Sequence, residues 1–282
     1  MTSPLAGRRV VRMNGAGNKI LVLDQRGGAT LPTPAEARAI HAAPGLDYDQ
    51  MMVLAEPRAA GALAYVAIFN NDGSLAGACG NGTRCVAERL AHETGAGRLT
   101  VETDRGLIEC ERIGEGVWRV DMGAPRLTAA EIPFAGERET VAVTMSGAEA
   151  YGPASLVNMG NPHAVFFVAD LGAVDLAKAG PPLETHPLFP QKANVSFAQI
   201  LSPGRIRLKV WERGVGATLA CGSAACATLV AAVRRGLSAR AASVELPGGT
   251  LDIGWREADG HVLMTGPVEF EREIELTASL FA

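Results

Sequence analysis

Phe69-Asn-Asn-Asp-Gly-Ser-Leu-Ala-Gly-Ala-Cys-Gly80 aligns without a gap on Trp211-Glu-Arg-Gly-Val-Gly-Ala-Thr-Leu-Ala-Cys-Gly222, at an offset of 142 residues. Each stretch follows a β-like run, ends in Ala-Cys-Gly and leads into an Ala-rich segment with helical character. A second pair, Gly17-Asn18 and Gly160-Asn161, falls at an offset of 143, and both precede a hydrophobic run. The chain has 282 residues, so these offsets are close to half its length. Self-similarity at a fixed period is the mark of a repeated supersecondary plan. Two pseudo-symmetric halves are therefore expected, with a boundary near Gly123-Ala-Pro125, where the composition turns Pro- and Ala-rich.

Outside the repeat, short β-like runs recur: Ile20 to Asp24, Tyr65 to Phe69, Leu99 to Glu102, Val117 to Asp121, Ala164 to Val168, Asn194 to Phe197, Ile206 to Trp211 and Val262 to Met264. Several alternate apolar with polar residues, as half-buried strands do. The gaps are punctuated by the 33 glycines and 16 prolines, which suits many tight turns. Helices are few. Thr33-Pro-Ala-Glu36 predicts a capped helix start, with Pro at the first helical position and Glu at the third. Two more helices are expected just after Cys79 and Cys221. The run from Ala224 to Val233 is apolar on nearly every face, the pattern of an enclosed helix. The expected class is α+β and strand-rich, without the βαβα alternation of a Rossmann-type sheet.

Composition narrows the partners. Hydrophobic residues make up 48% and charged residues 20%, ordinary for a chain that buries a full core. The net charge is −4 and the basic residues are scattered, which argues against nucleic acid as a partner. No apolar run reaches the length of a membrane span, and Arg8-Arg9 is not followed by a signal-type apolar region. A cytoplasmic protein is expected. The five cysteines, Cys79, Cys85, Cys110, Cys221 and Cys226, are odd in number and do not suggest a disulfide framework. The C-x5-C spacing is wider than that of the usual zinc pairs and C-x4-C is at their upper limit. Each pair also lies in an apparently helical segment and not a knuckle turn, so no metal site is expected and reduced thiols are the better reading.

A cysteine at a helix N-terminus feels the positive end of the macrodipole and nearby free N–H groups. Both favour thiolate, so the pKa is expected to fall from about 8.5 toward neutrality. The same N–H groups suit a carboxylate, and Gly80 and Gly222 let the backbone approach it closely. Two such helix ends, related by a pseudo-twofold axis, would place one thiol on each side of an α-carbon. One thiolate could then remove the α-proton while the opposite thiol returns a proton to the other face. Carbanion charge spreading onto the carboxylate would meet preorganised donors. This scheme demands no cofactor. The alternative for each cysteine is a small buried packing residue, and Cys85, Cys110 and Cys226 are read that way.

With these motifs in hand, the sequence resembles diaminopimelate epimerases over essentially its whole length. The resemblance rests on Met13-Asn-Gly-Ala-Gly-Asn18, Asn70-Asn-Asp-Gly-Ser74, Cys79-Gly-Asn-Gly-Thr-Arg-Cys85, Met159-Gly-Asn-Pro-His163, Asn194-Val-Ser-Phe197, Glu212-Arg-Gly-Val-Gly216 and Thr218-Leu-Ala-Cys-Gly222. It implies two domains, residues 1–123 with 270–282 and residues 124–269, each a barrel-like sheet around a central helix. It implies interconversion of LL- and meso-2,6-diaminopimelate, without a cofactor, in lysine and peptidoglycan biosynthesis. Cys79 and Cys221 would be the base and the acid, exchanging roles with direction. Gly80, Asn81, Gly222 and Ser223 would present N–H groups to the reacting carboxylate. Arg213 suits the distal carboxylate and Glu212 the distal ammonium. Asn18, Asn70, Asn161 and Asn194 match the substrate-binding asparagines, and Gln50 the pocket glutamine. Such amides both donate and accept.

Bland readings stand beside these. An Asn in Gly-Asn or Asn-Asp-Gly is also an ordinary turn residue, and Glu212-Arg213 could be solvated charges at a strand end. His163 either polarises the site or fills a strand start. Asn14, Lys19 and Ala224 depart from the family, which often has His, an acidic residue and Gly there; Asn14 and Lys19 put the wall beside Asn18 in question. A proline or hydroxyproline racemase, a phenazine-pathway relative, a small-molecule binding module and a thiol-redox sensor are the competing functions. Glu212-Arg213 and the asparagines speak against the first, and retention of both thiols against the next two; a redox sensor would need a reversible disulfide as its function. A homodimer stands as an open expectation.

Overall fold

A computed structural model of the chain describes residues 3–28, 30–135 and 139–281. It divides into two compact units, residues 1–120 with 265–282 and residues 121–264. The first contains β1 (Arg9–Gly15), β2 (Asn18–Asp24), α1 (Pro34–Ala42), β3 (Gln50–Ala55), β4 (Tyr65–Asn70), β5 (Leu75–Ala76), α2 (Gly80–Thr94), β6 (Arg98–Thr103), β7 (Gly106–Gly114) and most of β8 (Val117–Asp121). The second contains β9 (Ala154–Asn158), β10 (Pro162–Phe167), α3 (Leu176–Glu184), β11 (Asn194–Ser202), β12 (Arg205–Glu212), β13 (Gly216–Thr218), α4 (Gly222–Arg234), β14 (Ala241–Leu246) and β15 (Gly249–Trp255). The chain re-enters the first unit within β16 (Val262–Pro267) and ends there after β17 (Glu269–Glu275). Seventeen strands against four α-helices among the described residues make the fold α+β and strand-rich.

The internal repeat extends to the pairing of every strand around the thiols. In the first unit β1–β2 is antiparallel, β2–β3 parallel, β3–β4 and β4–β5 antiparallel, β4–β6 parallel and β6–β7 antiparallel. In the second, β9–β10, β10–β11, β11–β12, β12–β13, β12–β14 and β14–β15 repeat those senses in the same order. α2 and α4 occupy the same place in this order, between the short fifth strand and the sixth.

Each central helix is shaped by its sequence. Cys79 and Cys221 are the N-cap residues of α2 and α4, both with extended backbone. α2 stops at Gly95, whose φ of +73° supplies the left-handed C-cap, a conformation open to glycine. α4 buries Ala224, Ala225, Cys226, Ala227, Leu229, Val230, Ala231 and Ala232, so it is enclosed as its all-round apolarity requires. Gly82, in the first turn of α2, sits where a Cβ would lie 2.4 Å from Met52 Sδ. The absent side chain therefore lets the head of α2 press onto β3. α1 carries the expected capping box between Thr33 and Glu36.

Each unit also has a core beneath its outer face. In the first, Leu5, Val10, Leu21, Leu23, Ile40, Tyr48, Met51 and Leu276 pack together. In the second, Leu156, Phe166, Leu183, Val195 and Phe197 do so, with Phe166 and Phe197 stacked at 5.3 Å.

Candidate active site

In the first unit the sheet edge nearest the head of α2 is set by strand register. β2 begins at Asn18 and β3, parallel to it, begins at Gln50, while β4 runs the other way and ends at Asn70. Gln50 lies directly opposite Asn70. Asn18, Gln50 and Asn70 therefore share one end of the sheet. The Cys79 thiol donates to Gln50 Oε1 at 3.6 Å and accepts from the Gly82 N–H at 3.3 Å. That second contact is the N-cap bond of α2, with sulfur in the place usually taken by oxygen. Asn70 closes the β4–β5 turn through Ser74 Oγ at 3.0 Å. Asn18 and Asn81 are both buried, and each carries an amide oxygen without a hydrogen-bond partner. Buried polar atoms left so are costly, and two acceptors beside one helix head suit a ligand that donates.

Asn14 and Lys19 turn away from that edge. Asn14 Oδ1 accepts from the Gly17 N–H at 2.7 Å, fixing a two-residue turn in which Ala16 and Gly17 both have positive φ. Lys19 Nζ reaches Asp47 at 2.6 Å, and Asp47 also accepts from Arg12 at 3.0 Å. The Asp49 carboxylate accepts from the Lys19 N–H, and the Asp49 N–H donates to the Lys19 carbonyl, both at 2.8 Å. This reciprocal clasp ties together the residues that precede Gln50 and follow Asn18.

The second unit repeats the arrangement with different side chains. Asn161 precedes β10, Asn194 begins β11 and Glu212 ends β12. His163 lies opposite Asn194 and Val195 opposite Trp211, so Asn161, Asn194 and Glu212 again share one sheet end. Cys221 lies 3.5 Å from Ser223 Oγ, and Ser223 Oγ accepts from Asn161 Nδ2 at 3.3 Å. Asn194 donates to the Pro162 carbonyl and accepts from the Arg213 N–H, both at 3.0 Å. Arg213 also donates to the Gln191 carbonyl at 3.0 Å, and Thr218 donates to Glu212.

The electrostatics of Cys221 differ from the sequence expectation. Cys221 is 6% exposed, and burial, reinforced by the Glu212 carboxylate, pushes its pKa well above the usual thiol range. The Ser223 hydroxyl and the Ala224 N–H pull the other way and are outweighed. Desolvation and a like charge thus exceed the helix-end effect, and Cys221 rests as a protonated thiol. His163 is wholly buried, and burial, then Arg213, pushes its pKa down to about 3. It is a neutral imidazole, with Nε2 at 3.0 Å from Asn161 Oδ1.

Sequence reading passed over Asp49, which clasps Lys19, and Glu184, which lies against the β12–β13 turn. One signal for Glu184 was present: Trp211 stands where the first repeat has Phe69, and a buried indole N–H requires an acceptor.

Two strand-rich halves with a thiol heading the same helix of each define a fold shared with solved amino-acid epimerases and their relatives. A hydroxyproline epimerase from Agrobacterium vitis, solved with trans-4-hydroxy-L-proline, superposes with a TM-score of 0.72 at 16% identity, over 98% of this chain and 94% of that one. A phenazine biosynthesis protein from Enterococcus faecalis superposes at 0.66 and 15% identity, over 95% and 98%. The sequence is more specific. The family model described as diaminopimelate epimerase matches residues 10–128 and 155–271, and the chain belongs to that family. The diaminopimelate epimerase of Methylocella silvestris is 56% identical over 99% of this chain and 98% of its own length. A diaminopimelate epimerase of Methylorubrum extorquens is 52% identical over the same shares.

Proposed function

We propose that the protein interconverts LL- and meso-2,6-diaminopimelate by a cofactor-independent two-thiol mechanism. The observation that carries this reading is the equivalence of Cys79 and Cys221 as N-caps of corresponding helices in a repeated topology. A thiolate takes the α-proton, the C–H electron pair moves into the carboxylate, and the other thiol delivers its proton to the opposite face. The two sulfurs exchange protonation states and no redox change occurs. A protonated Cys221 suits the acid role in one direction, which leaves Cys79 as the base.

The same reading assigns the N–H groups of Gly80, Asn81, Gly222 and Ser223 to the reacting carboxylate, where helix ends favour negative charge. Glu212 and Arg213 take the distal ammonium and carboxylate. Asn18, Gln50, Asn70, Asn161 and Asn194 complete the set, supported by their shared sheet ends. The superposable hydroxyproline epimerase shows that the fold alone does not choose a substrate; the Glu212-Arg213 pair and the high identity to diaminopimelate epimerases favour the two-ended one. A homodimer, a cytoplasmic location and the absence of a nucleic-acid partner belong to the proposal as well, the last on the scattered basic residues and net charge of −4. Among the described residues no helix is long and apolar enough to cross a membrane.

The test is solvent deuterium incorporation at the α-carbon of LL-diaminopimelate, with reduced protein and no added cofactor. Wild-type protein should exchange and epimerise, whereas Cys79→Ala and Cys221→Ala should each lose epimerisation by at least about a thousandfold. Absence of exchange in the reduced wild-type protein would sink the proposal.

A further inference from the structure

Glu184, the last residue of α3, is 8% exposed and takes no part in the chemistry above. Both of its oxygens nevertheless accept a hydrogen bond. Oε2 accepts from the Trp211 indole N–H at 2.8 Å, and Oε1 accepts from the Gly214 N–H at 2.9 Å. Lys192 Nζ stands 3.7 Å from Oε1. Burial alone would raise the pKa of this carboxyl; the donors Trp211, Gly214 and Lys192 outweigh it and hold the group below its ordinary value.

Trp211 and Gly214 are the residues on either side of Glu212-Arg213. The carboxylate therefore grips the strand end just before the charged pair and the turn just after it. From the other side the pair is held by Asn194, which accepts from the Arg213 N–H, and by the Gln191 carbonyl, which accepts from its guanidinium. The indole is also fixed from below: a Cβ on Gly180 of α3 would lie 2.3 Å from a Trp211 ring carbon, so the ring packs flush on the helix backbone.

The corresponding turn of the first unit has only a carboxylate of its own, the exposed Asp72, which accepts from the Ser74 N–H at 2.8 Å; among the described residues, no buried carboxylate from the preceding helix grips it. Phe69 replaces Trp211 and offers no donor, and α1 reaches the turn through Arg38, which donates to the Asp72 carbonyl at 3.1 Å. Gly73 there packs on the Pro34 carbonyl. The repeat has thus acquired a buried anion only where the turn carries the Glu-Arg pair. A buried charge is weak evidence for a stabilising role, whereas charge-assisted bonds to a tryptophan N–H and a turn N–H fix geometry.

We infer that Glu184 is a positioning residue: acting through Trp211 and Gly214, it sets Glu212 and Arg213 for the distal amino-acid end of the substrate. This rests on the assignment of that pair under the proposed function. A group that acts on the distal end governs binding before chemistry, so its loss raises KM with little change in kcat.

The experiment is steady-state kinetics on the full chain with LL-diaminopimelate, for Glu184→Ala, Glu184→Gln, Arg213→Ala and the Glu184→Ala/Arg213→Ala double variant. Glu184→Ala should raise KM by about tenfold or more with kcat within about threefold of wild type. Glu184→Gln keeps an oxygen for the indole and should recover part of that loss. Because Glu184 acts through the pair, the double variant should raise KM by less than the product of the two single effects, the non-additivity expected of coupled residues. A fall in kcat with unchanged KM, matching a loss of folded protein seen by calorimetry, would reduce Glu184 to a structural residue and overturn the inference. Additive effects in the double variant would overturn it too. An Arg213→Ala variant with wild-type KM would instead overturn the assignment of the pair, and the inference with it.

Discussion

Cys221 and Glu212 are separated by nine positions in the chain but meet because the β12–β13 hairpin, with Glu212 opposite Gly216, folds the chain back just before α4 begins. The carboxylate opposes ionisation of the thiol, adding to burial as a cause of the raised pKa. Replacing it should have the opposite sign: Glu212→Gln removes a negative charge, favours thiolate and lowers the Cys221 pKa. The check is the pH dependence of alkylation in a Cys79→Ala background, where Cys221 is the most exposed of the four remaining cysteines; a midpoint that stays put or rises rejects the argument. The thiols themselves were legible in the sequence because they recur in aligned Ala-Cys-Gly contexts. Their charge state was not. Helix-end reasoning predicts a lowered pKa, whereas the raised value of Cys221 depends on how deeply α4 is enclosed and on a carboxylate from a neighbouring strand. His163 is similar, since sequence offered two roles and only its complete burial decides that the imidazole is neutral.

At the scale of elements, the strands with one buried and one wetter face were legible, and β4 and β12 were bounded closely because both run into the repeated turn. β17 was passed over: Phe270 and Ile274 alternate with glutamates, but Glu269–Glu275 is exposed at nearly every position, so the alternation marks no buried face within the strand. α3 was hidden by Pro181 and Pro182 inside it, residues that ordinarily break a helix; its Asp175 cap and its packing on Trp211 sustain it. The head of α2 gives this scale its test. Gly82→Ala introduces a Cβ 2.4 Å from Met52 Sδ and 2.8 Å from its Cε, and Met52 is itself fully buried. Either the buried Met52 thioether repacks or the helix head backs away from β3, and the second outcome disturbs Cys79 and its Gln50 contact together. Thermal unfolding should report a loss of about 1–3 kcal/mol, accompanied by a drop in kcat larger than that of a surface Gly→Ala change. Unchanged activity in a destabilised protein would show that the close approach serves packing alone.

Over the whole molecule, each unit carries its own core, and the first is completed only by the end of the chain. β17 pairs with β1 from Arg9 opposite Glu275 to Asn14 opposite Glu269. Beyond it, Leu276 is 0% exposed among Leu5, Val10, Leu23 and Ile40. Its backbone is bonded to both sides of the entering segment: its carbonyl accepts from the Gly7 N–H at 2.7 Å, and its N–H donates to the Arg8 carbonyl at 2.8 Å. β1 leads directly into the turn that carries Asn18, so a residue near the C-terminus supports a site whose thiol lies almost 200 residues earlier. Leu276→Ala should cost about 2–5 kcal/mol, the range for a buried leucine that leaves a cavity. Because the lost contacts belong to one core, hydrogen exchange should accelerate in β1, β2 and α2 and leave α4, enclosed by its own unit, protected. Equal loss of protection in α4 would mean that the two cores unfold as a single cooperative block, and the independence argued from their separate packing would fail.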